Sequence, residues 1–171
     1  MDRSLLGRAL ALAAAALALG ACGGKRIENG VFHAPSGYRV ALPPDGAWRI
    51  VEESRADLEL RHRTASAGML VNGACEAGMA RREPEVLARH LLMGLRDRQE
   101  LERGEVPVNG RVASHRLLEG RMRESDERVR VETYTLKGER CVYDLLFVAA
   151  PAAFDAERGD FRRFVESFAG E

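Results

Sequence analysis

Cysteine and histidine side chains are the first groups in this sequence to consider as metal ligands or as parts of a nucleophilic site. There are seven of them: Cys22, Cys75, Cys141, His33, His62, His90 and His115. No histidine lies three or four residues from another histidine or from a cysteine, and no Cys-x-x-Cys pair is present, so the spacing lacks the pattern of a zinc or redox site. We therefore expect no metal, although a site assembled from distant strands stays an alternative.

The local motifs of several enzyme classes are also missing. The sequence has no His-Glu-x-x-His of zinc proteases, no Gly-x-Ser-x-Gly of serine hydrolases and no Gly-x-x-x-x-Gly-Lys phosphate loop. The context of Ser66, Ser114 and Ser125 offers nothing that would activate a hydroxyl, which favours serines in solvated loops or strands. We therefore expect no catalytic residue and no cofactor.

Four further side chains attract attention, and for each we favour a structural role. Asp144 lies in the most apolar segment, beside Tyr143, so it must face solvent or find an arginine or hydroxyl partner. Glu119 and Glu132 fall on strands expected to be neighbours, and we interpret them as solvated ion pairs with nearby arginines. Trp48 is expected to cover the core rather than to stack on a ligand.

The N-terminal segment indicates export. Arg3 and Arg8 form a basic start, and residues 9–19 are an apolar run too short to span a bilayer as a helix of ~20 residues. The run ends in Leu-Gly-Ala-Cys at residues 19–22, small residues and a cysteine where a signal peptidase would cut. This arrangement resembles the lipobox of bacterial lipoproteins. The resemblance implies that Cys22 receives a diacylglyceryl group and becomes the acylated first residue of the mature protein.

Export also bears on the two other cysteines, because thiols can be oxidised outside the cytoplasm. With Cys22 acylated, Cys75 and Cys141 form the obvious pair. A disulfide between them would stabilise the fold by about 4 kcal/mol in the loop-entropy model. Two buried free thiols are the alternative, and a catalytic thiol is disfavoured because no basic environment is evident around either cysteine.

The rest of the chain has the size and charge of one domain. With residues 1–21 removed as the signal, we expect residues 22–30 to carry the lipid and form a polar tether, and residues 31–171 to form a single domain. The 26 basic and 26 acidic residues balance each other and alternate, so there is no electrostatic case for nucleic acid. Gly23, in place of the aspartate that commonly retains lipoproteins at the inner membrane, favours the outer membrane.

Hydrophobic periodicity predicts the elements that position these residues. They are strands near residues 38–42, 48–51, 58–62 and 68–75, a helix over 84–102, strands over 110–121, 128–137 and 140–149, and a closing helix marked by Phe161, Phe164, Val165 and Phe168. The strand over 140–149 is mostly apolar and should be central in its sheet. The order indicates an α+β domain, an antiparallel β-sheet with helices packed on it.

Short motifs accompany this order of elements. They are Gly37-Tyr38-Arg39-Val40-Ala41-Leu42-Pro43 and Trp48 early in the chain, and Tyr143-Asp144-Leu145, Phe161, Phe164-Val165 and Ser167-Phe168 late in it. The pattern resembles the PsbP-like fold, named for the photosystem II extrinsic subunit, over residues 37–169. The resemblance implies an α/β/α sandwich. It also implies a binding or assembly protein without catalytic residues, since most members are of that kind and many bacterial ones are lipoproteins.

A narrower resemblance adds a family but no activity. The segments 72–75, 90–94 and 141–144 are similar to lipoproteins of Geobacter-like and myxobacterial species. We therefore expect a lipid-anchored periplasmic accessory protein with two partners, membrane lipid through acylated Cys22 and an envelope protein.

Two other functions stay as alternatives. The first is a carrier of a small apolar ligand, held in the cleft between the sheet and the helix over 84–102, with Met69, Met79 and Met93 as adaptable lining. Core filling by these methionines is the competing interpretation. The second is a hydrolase, for which the sequence supplies neither a nucleophile nor a base.

Overall fold

The chain forms two antiparallel β-sheets with a C-terminal helix packed on them. The structure is a computed structural model, and it describes residues 24–44, 46–76, 78, 92 and 94–170. The elements within these residues are β1 (Arg26–Glu28), β2 (Val31–His33), β3 (Arg39–Ala41), β4 (Trp48–Ile50), β5 (Leu58–His62), β6 (Ala67–Ala74), β7 (Leu95–Val108), β8 (Arg111–Met122), β9 (Arg128–Lys137), β10 (Val142–Ala149) and α1 (Pro151–Glu166).

The larger sheet has seven strands in the order β4-β5-β6-β10-β9-β8-β7, and the smaller one has three in the order β1-β2-β3. The last strand, β10, pairs with β6 on one side and with β9 on the other. Its apolar sequence suits a position with a neighbour on each edge and burial on both faces, so the predicted central place is confirmed. The predicted strands that became β3 to β6 and β8 to β10 are confirmed as well.

Side chains alternate along each strand, so the seven-stranded sheet has two distinct faces. We call the face covered by α1 the helix face. Its core is aromatic and fully buried: Tyr143, Phe147, Phe154, Phe161, Phe164 and Phe168. We call the other side the opposite face. Its smaller core is aliphatic: Leu92, Leu95, Leu118, Val129, Val131 and Leu146.

The closing helix α1 is confirmed and also links the two sheets. Pro151 occupies its first turn, where the missing N–H costs nothing. At its other end the Ser167 hydroxyl donates to the Phe164 carbonyl and accepts the backbone N–H of Ala41 in β3 at 2.9 Å. Just beyond, Arg39 and Ala169 exchange backbone hydrogen bonds of 2.7 and 2.9 Å. The small sheet is therefore fixed to the C-terminal end of α1.

The helix predicted over 84–102 is wrong over its second part. Residues 84–91 lie outside the described residues, and residues 95–102 belong to strand β7. The prediction placed Leu95 and Leu101 on one broad apolar side of a helix, yet Leu95 is buried and Leu101 is 42% exposed. The register of β7 against β8 shifts twice in this stretch, and the two irregularities remove the alternation that would have marked a strand.

The stretch predicted as a tether also contains regular structure. Residues 26–28 form β1, which pairs with β2 through the turn Asn29-Gly30. Both turn residues have positive φ, at 51° and 74°, as a tight two-residue hairpin requires.

Candidate functional site

A buried carboxylate cluster lies between α1 and the sheet. Glu132 of β9 is 0% exposed and receives two hydrogen bonds from the Arg158 guanidinium, at 2.7 and 2.8 Å. The Tyr134 hydroxyl donates to Glu132 Oε1 at 3.1 Å, and His115 Nε2 lies 2.9 Å from the same atom. We call these four residues the Glu132 cluster. They come from β8, β9 and α1, so the cluster joins the helix to two strands.

The charge of Glu132 is stabilised by these contacts. Burial raises the pKa of this carboxyl, but the hydrogen bonds from His115 and Arg158 and the charge of Arg158 outweigh burial and bring the pKa down to about 2. The carboxylate stays ionised at neutral pH with its oxygens occupied by donors. It is therefore not free to act as a general base, and what the cluster does physically is hold α1 on the sheet.

The prediction for the two glutamates was right for one and wrong for the other. Glu119 bonds Arg128 and Arg130 near the surface, and the latter distance is 3.1 Å. Glu132 is fully buried instead of solvated. Polar residues alternate with apolar ones along this strand, which indicated that Glu132 faces solvent. The helix α1 covers that face, however, and supplies the cation, Arg158, from 26 residues away.

Asp144 on the opposite face is held in a different way. Its Oδ1 accepts one hydrogen bond, from the Thr135 hydroxyl at 2.7 Å, so of the predicted outcomes, solvent or an arginine or hydroxyl partner, the structure shows the hydroxyl. Burial raises the pKa of Asp144 to about 6, and the Thr135 bond only moderates the rise. Asp144 pairs in register with Asn72 on β6 and with Thr135 on β9, the two strands that flank β10. A carboxyl with this pKa is partly protonated in mildly acidic conditions.

Cys75 and Cys141 lie side by side. Register pairing between β6 and β10 ends at Ala74 and Val142, and the two cysteines are the next pair along. Their sulfurs are bonded at 2.08 Å and their Cα atoms are 4.1 Å apart. The structure therefore supports the pairing predicted from the sequence. Cys22, the predicted lipidation site, lies outside the described residues.

The histidines and Trp48 are dispersed. His62 Nδ1 accepts the Ala65 N–H at 2.8 Å, and its Nε2 lies 3.4 Å from Glu157. Trp48 is buried, as predicted, and its indole N–H donates to Asp160 at 2.8 Å. His33 lies on β2, His115 belongs to the Glu132 cluster, and His90 lies outside the described residues. Among the residues that the structure describes, no three potential ligands gather into a metal site.

A groove crosses the opposite face and has a volume of about 350 Å³. Its floor is apolar and comes from the central strands and the β8–β9 hairpin: Gly68, Leu70, Met122, Val129, Leu146 and Val148. Arg49, Glu59 and Arg61 of β4 and β5 form one end, and Glu127 lies at the other. The volume is at the lower end of the ~300–1,000 Å³ typical of small-molecule sites.

The cleft predicted for an apolar ligand falls largely outside the described residues, and of its three methionines only Met69 is described, where it also lines the groove. Met79 and Met93 lie outside the described residues. Met69 is 1% exposed and packs in the aromatic core on the helix face, which agrees with core filling. The groove on the opposite face was missed because its floor residues come from strands that are far apart in sequence, and no local pattern brings them together.

The fold is similar to that of several solved structures. Cyanobacterial PsbP (CyanoP) from Synechocystis superposes with a TM-score of 0.58 and 15% identity, over 90% of this chain and 99% of that protein. LpqN of Mycobacterium tuberculosis, a protein involved in cell envelope biogenesis, gives 0.55 and 14%, over 79% and 84%. A protein from Bacteroides thetaiotaomicron gives 0.55 and 10%, over 88% of this chain and 49% of its own length.

These similarities confirm the PsbP-like fold and the antiparallel α+β architecture predicted from the sequence. No protein-family model matches the chain, and a search of curated proteins gives no match. Within the described residues, none of the helices has the length and apolar character needed to cross a bilayer.

Proposed function

We propose that this chain is a lipid-anchored accessory protein of the bacterial cell envelope, which acts by binding or assembly and not by catalysis. The observation that carries the proposal is the PsbP-like fold, shared with LpqN, a protein involved in cell envelope biogenesis, and with CyanoP. The lipobox-like segment ending at Cys22 supports an envelope location. Gly23 after this cysteine favours the outer membrane over the inner.

Two further observations support the proposal. The paired sulfurs of Cys75 and Cys141 suit a protein that folds in an oxidising compartment. The Glu132 carboxylate has the burial and shifted pKa often found in catalytic sites, but its oxygens are taken up by Arg158, His115 and Tyr134. The most perturbed carboxylate of the helix face thus has a structural explanation.

The anchor is tested by comparing two cysteine variants of the full chain in the native host. Cys22→Ser should lose palmitate labelling and leave the membrane fraction, whereas the double variant Cys75→Ser, Cys141→Ser should keep both. Intact mass after alkylation, with and without reduction, gives the second readout: an acylated parent chain with two thiols that react only after reduction. A parent chain without palmitate label, or a Cys22→Ser chain that keeps it, would refute the anchor.

The accessory role needs a test of its own. Crosslinking in cells followed by capture of the lipidated chain should recover a reproducible envelope protein. The matched control is the Cys22→Ser chain, which should lose this partner if the anchor brings the two together. Capture at background level in repeated experiments with the lipidated chain would count against the accessory role while leaving the anchor intact.

A further inference from the structure

The groove on the opposite face combines an apolar floor with a basic end. Leu70, Leu146 and Val148 lie on the two central strands, and Met122 and Val129 extend the floor towards the β8–β9 hairpin. Burying an apolar chain on such a surface is favourable because it removes CH₂ groups from water. The floor therefore favours a ligand with a linear or slightly branched hydrocarbon part.

The basic end is formed by two arginines that stand directly across from each other. Arg49 of β4 and Arg61 of β5 are register partners, so their side chains leave the same face of the sheet. Like charges in this position repel each other and destabilise the pair of strands. An anion between the two guanidinium groups would convert this repulsion into attraction.

The two arginines differ in what already neutralises them. Arg61 Nε lies 3.1 Å from Glu59 Oε1, and Glu59 also accepts a hydrogen bond from Ser54 at 2.7 Å. The Arg49 side chain makes no hydrogen bond or ion pair with any residue that the structure describes. A guanidinium has a planar set of donors that matches a carboxylate or a phosphate, so Arg49 can receive such a group.

The distribution of charge also gives the ligand a direction. Glu127 lies at the far end of the groove, in the turn between β8 and β9, where it would repel an anion. The anionic head must therefore lie at the β4–β5 end, with the hydrocarbon part on the floor. We propose that this groove binds a single-chain amphiphile whose head is a carboxylate or a phosphate, recognised by Arg49 and Arg61. This proposal does not depend on the anchor at Cys22.

The test measures binding of decyl phosphate and decanoate, below their micelle concentrations, to the full chain carrying Cys22→Ser, so that no acyl group of its own competes. Decyl maltoside supplies the same chain with an uncharged head. Titration calorimetry should show saturable binding of both anions and binding at least about tenfold weaker for the maltoside, because hydrogen bonds to a charged group are lost.

Three variants locate the site. Arg49→Gln with Arg61→Gln should weaken binding of the anions at least about tenfold and leave the maltoside unchanged. Gly68→Leu should abolish binding of all three probes: a Cβ at Gly68 has ordinary contacts, 3.5 Å from the Leu60 oxygen and 3.8 Å from Val148, so the strand tolerates it while the side chain fills the groove. The control is Arg39→Gln on β3, which removes an exposed arginine from the other sheet and should change nothing.

Other results would overturn the proposal. They are absence of binding by the parent chain, equal affinity for anionic and uncharged probes, or unchanged binding in the double arginine variant. Vesicles of phosphatidylglycerol distinguish a membrane surface from a free amphiphile. Binding to vesicles without binding to monomeric decyl phosphate would place recognition on the bilayer surface and reject the groove.

Discussion

Glu132 and Asp144 lie on the adjacent strands β9 and β10 and face opposite sides of one sheet. Glu132, on the helix face, has four hydrogen-bond contacts and a pKa lowered to about 2. Asp144, on the opposite face, has one hydroxyl donor and a pKa raised to about 6. The same chemical group is thus stabilised as an anion on one face and disfavoured as an anion on the other.

The difference shows how the two faces divide their roles. The helix face is fully packed: an aromatic core and a buried carboxylate whose oxygens are occupied by donors hold α1 in place, and the cysteine pair lies on the same side. The opposite face carries a smaller aliphatic core, an incompletely compensated carboxyl and the groove. Binding surfaces need such accessible and incompletely satisfied groups, so we expect ligand recognition on the opposite face and stability on the helix face.

The largest effect is expected from Arg158→Met. The change leaves the Glu132 carboxylate buried without its cation, which costs about 3–5 kcal/mol of unfolding free energy. Urea denaturation at pH 7 measures the loss. Arg163→Met is the matched control on the same helix, since Arg163 is exposed, Asp160 keeps the Trp48 N–H as a donor, and an ion pair with an exposed arginine is worth at most ~1 kcal/mol. Adding Glu132→Gln to Arg158→Met should restore most of the stability, and failure to do so would mean that Arg158 acts through packing on Phe154.

Removal of the cysteine pair should have the next largest effect. Cys75→Ala with Cys141→Ala opens a loop with a sequence separation of 66, and we expect a loss of about 2–4 kcal/mol. The comparison uses urea denaturation of the parent chain with and without a reductant. The reductant should lower the stability of the parent to that of the double variant and leave the variant itself unchanged. Equal stability of parent and variant without reductant would show that the bond does not form.

Asp144→Asn should increase the free energy of unfolding at neutral pH, whereas most substitutions in buried sites lower it. The folded pKa, about 6, exceeds the unfolded value of 3.8, so the folded chain keeps a proton that the unfolded chain releases between pH 4 and 6. Stability contributed by this group is therefore present below pH 4 and is lost as pH rises through 6, by ~2–3 kcal/mol. The asparagine variant should match the parent at pH 4 and exceed it at pH 8.

Glu132→Gln supplies the opposite pH dependence. The pKa of Glu132 lies below its unfolded value of 4.5, so its contribution to stability is present above pH 4.5 and is lost as pH falls towards 2. Urea denaturation between pH 2 and pH 8 separates the two groups. The comparison would be sharpened if the free energy of unfolding of Asp144→Asn were constant between pH 4.5 and pH 8 and still fell at lower pH. It would be contradicted if the free energy of unfolding of the parent chain did not change between pH 4 and pH 8.

The smallest effect comes from a pair of glycines on β6. Gly73 faces the helix side, where an added Cβ would come within 2.7 Å of Ser36 Oγ and 3.0 Å of the Tyr38 ring, so Gly73→Ala should cost ~1–3 kcal/mol. Gly68→Ala faces the groove with ordinary contacts and should change stability by less than ~0.5 kcal/mol. Thermal unfolding of the two variants gives the difference, and equal losses would mean that both faces are packed alike.

The fold could be predicted from sequence wherever periodicity was regular. Leu58, Leu60 and His62 alternate with charged residues and form β5, and the apolar run of β10 is central as expected. The elements missed are β1, β2 and β7. Both β1 and β7 are followed by an Asn-Gly pair, at 29–30 and at 109–110, in which both residues have positive φ. Asn-Gly is the strongest short-range hairpin signal, so it required a strand before each pair and was overlooked.

The sites were harder to predict for a physical reason. The cysteine pair could be predicted from the sequence because composition and the expected export restrict the choice to two residues. Neither the burial of Glu132 nor the groove has a local signal, because Arg158 reaches Glu132 from another element and the groove floor is assembled from separate strands. Tertiary contacts of this kind appear only when the strand order is known.

The early start of β1 sets a limit on where the domain can work. Four residue steps separate Cys22 from Arg26, and an extended chain covers at most ~14 Å in that length. If Cys22 is acylated as proposed, the hairpin of β1 and β2 lies close to the lipid headgroups. The short linker then keeps the domain at the membrane surface. A partner would then have to come to the membrane surface. Lengthening the linker by a glycine-serine insertion before Lys25 would increase the distance from the membrane that the domain can reach, without altering the fold.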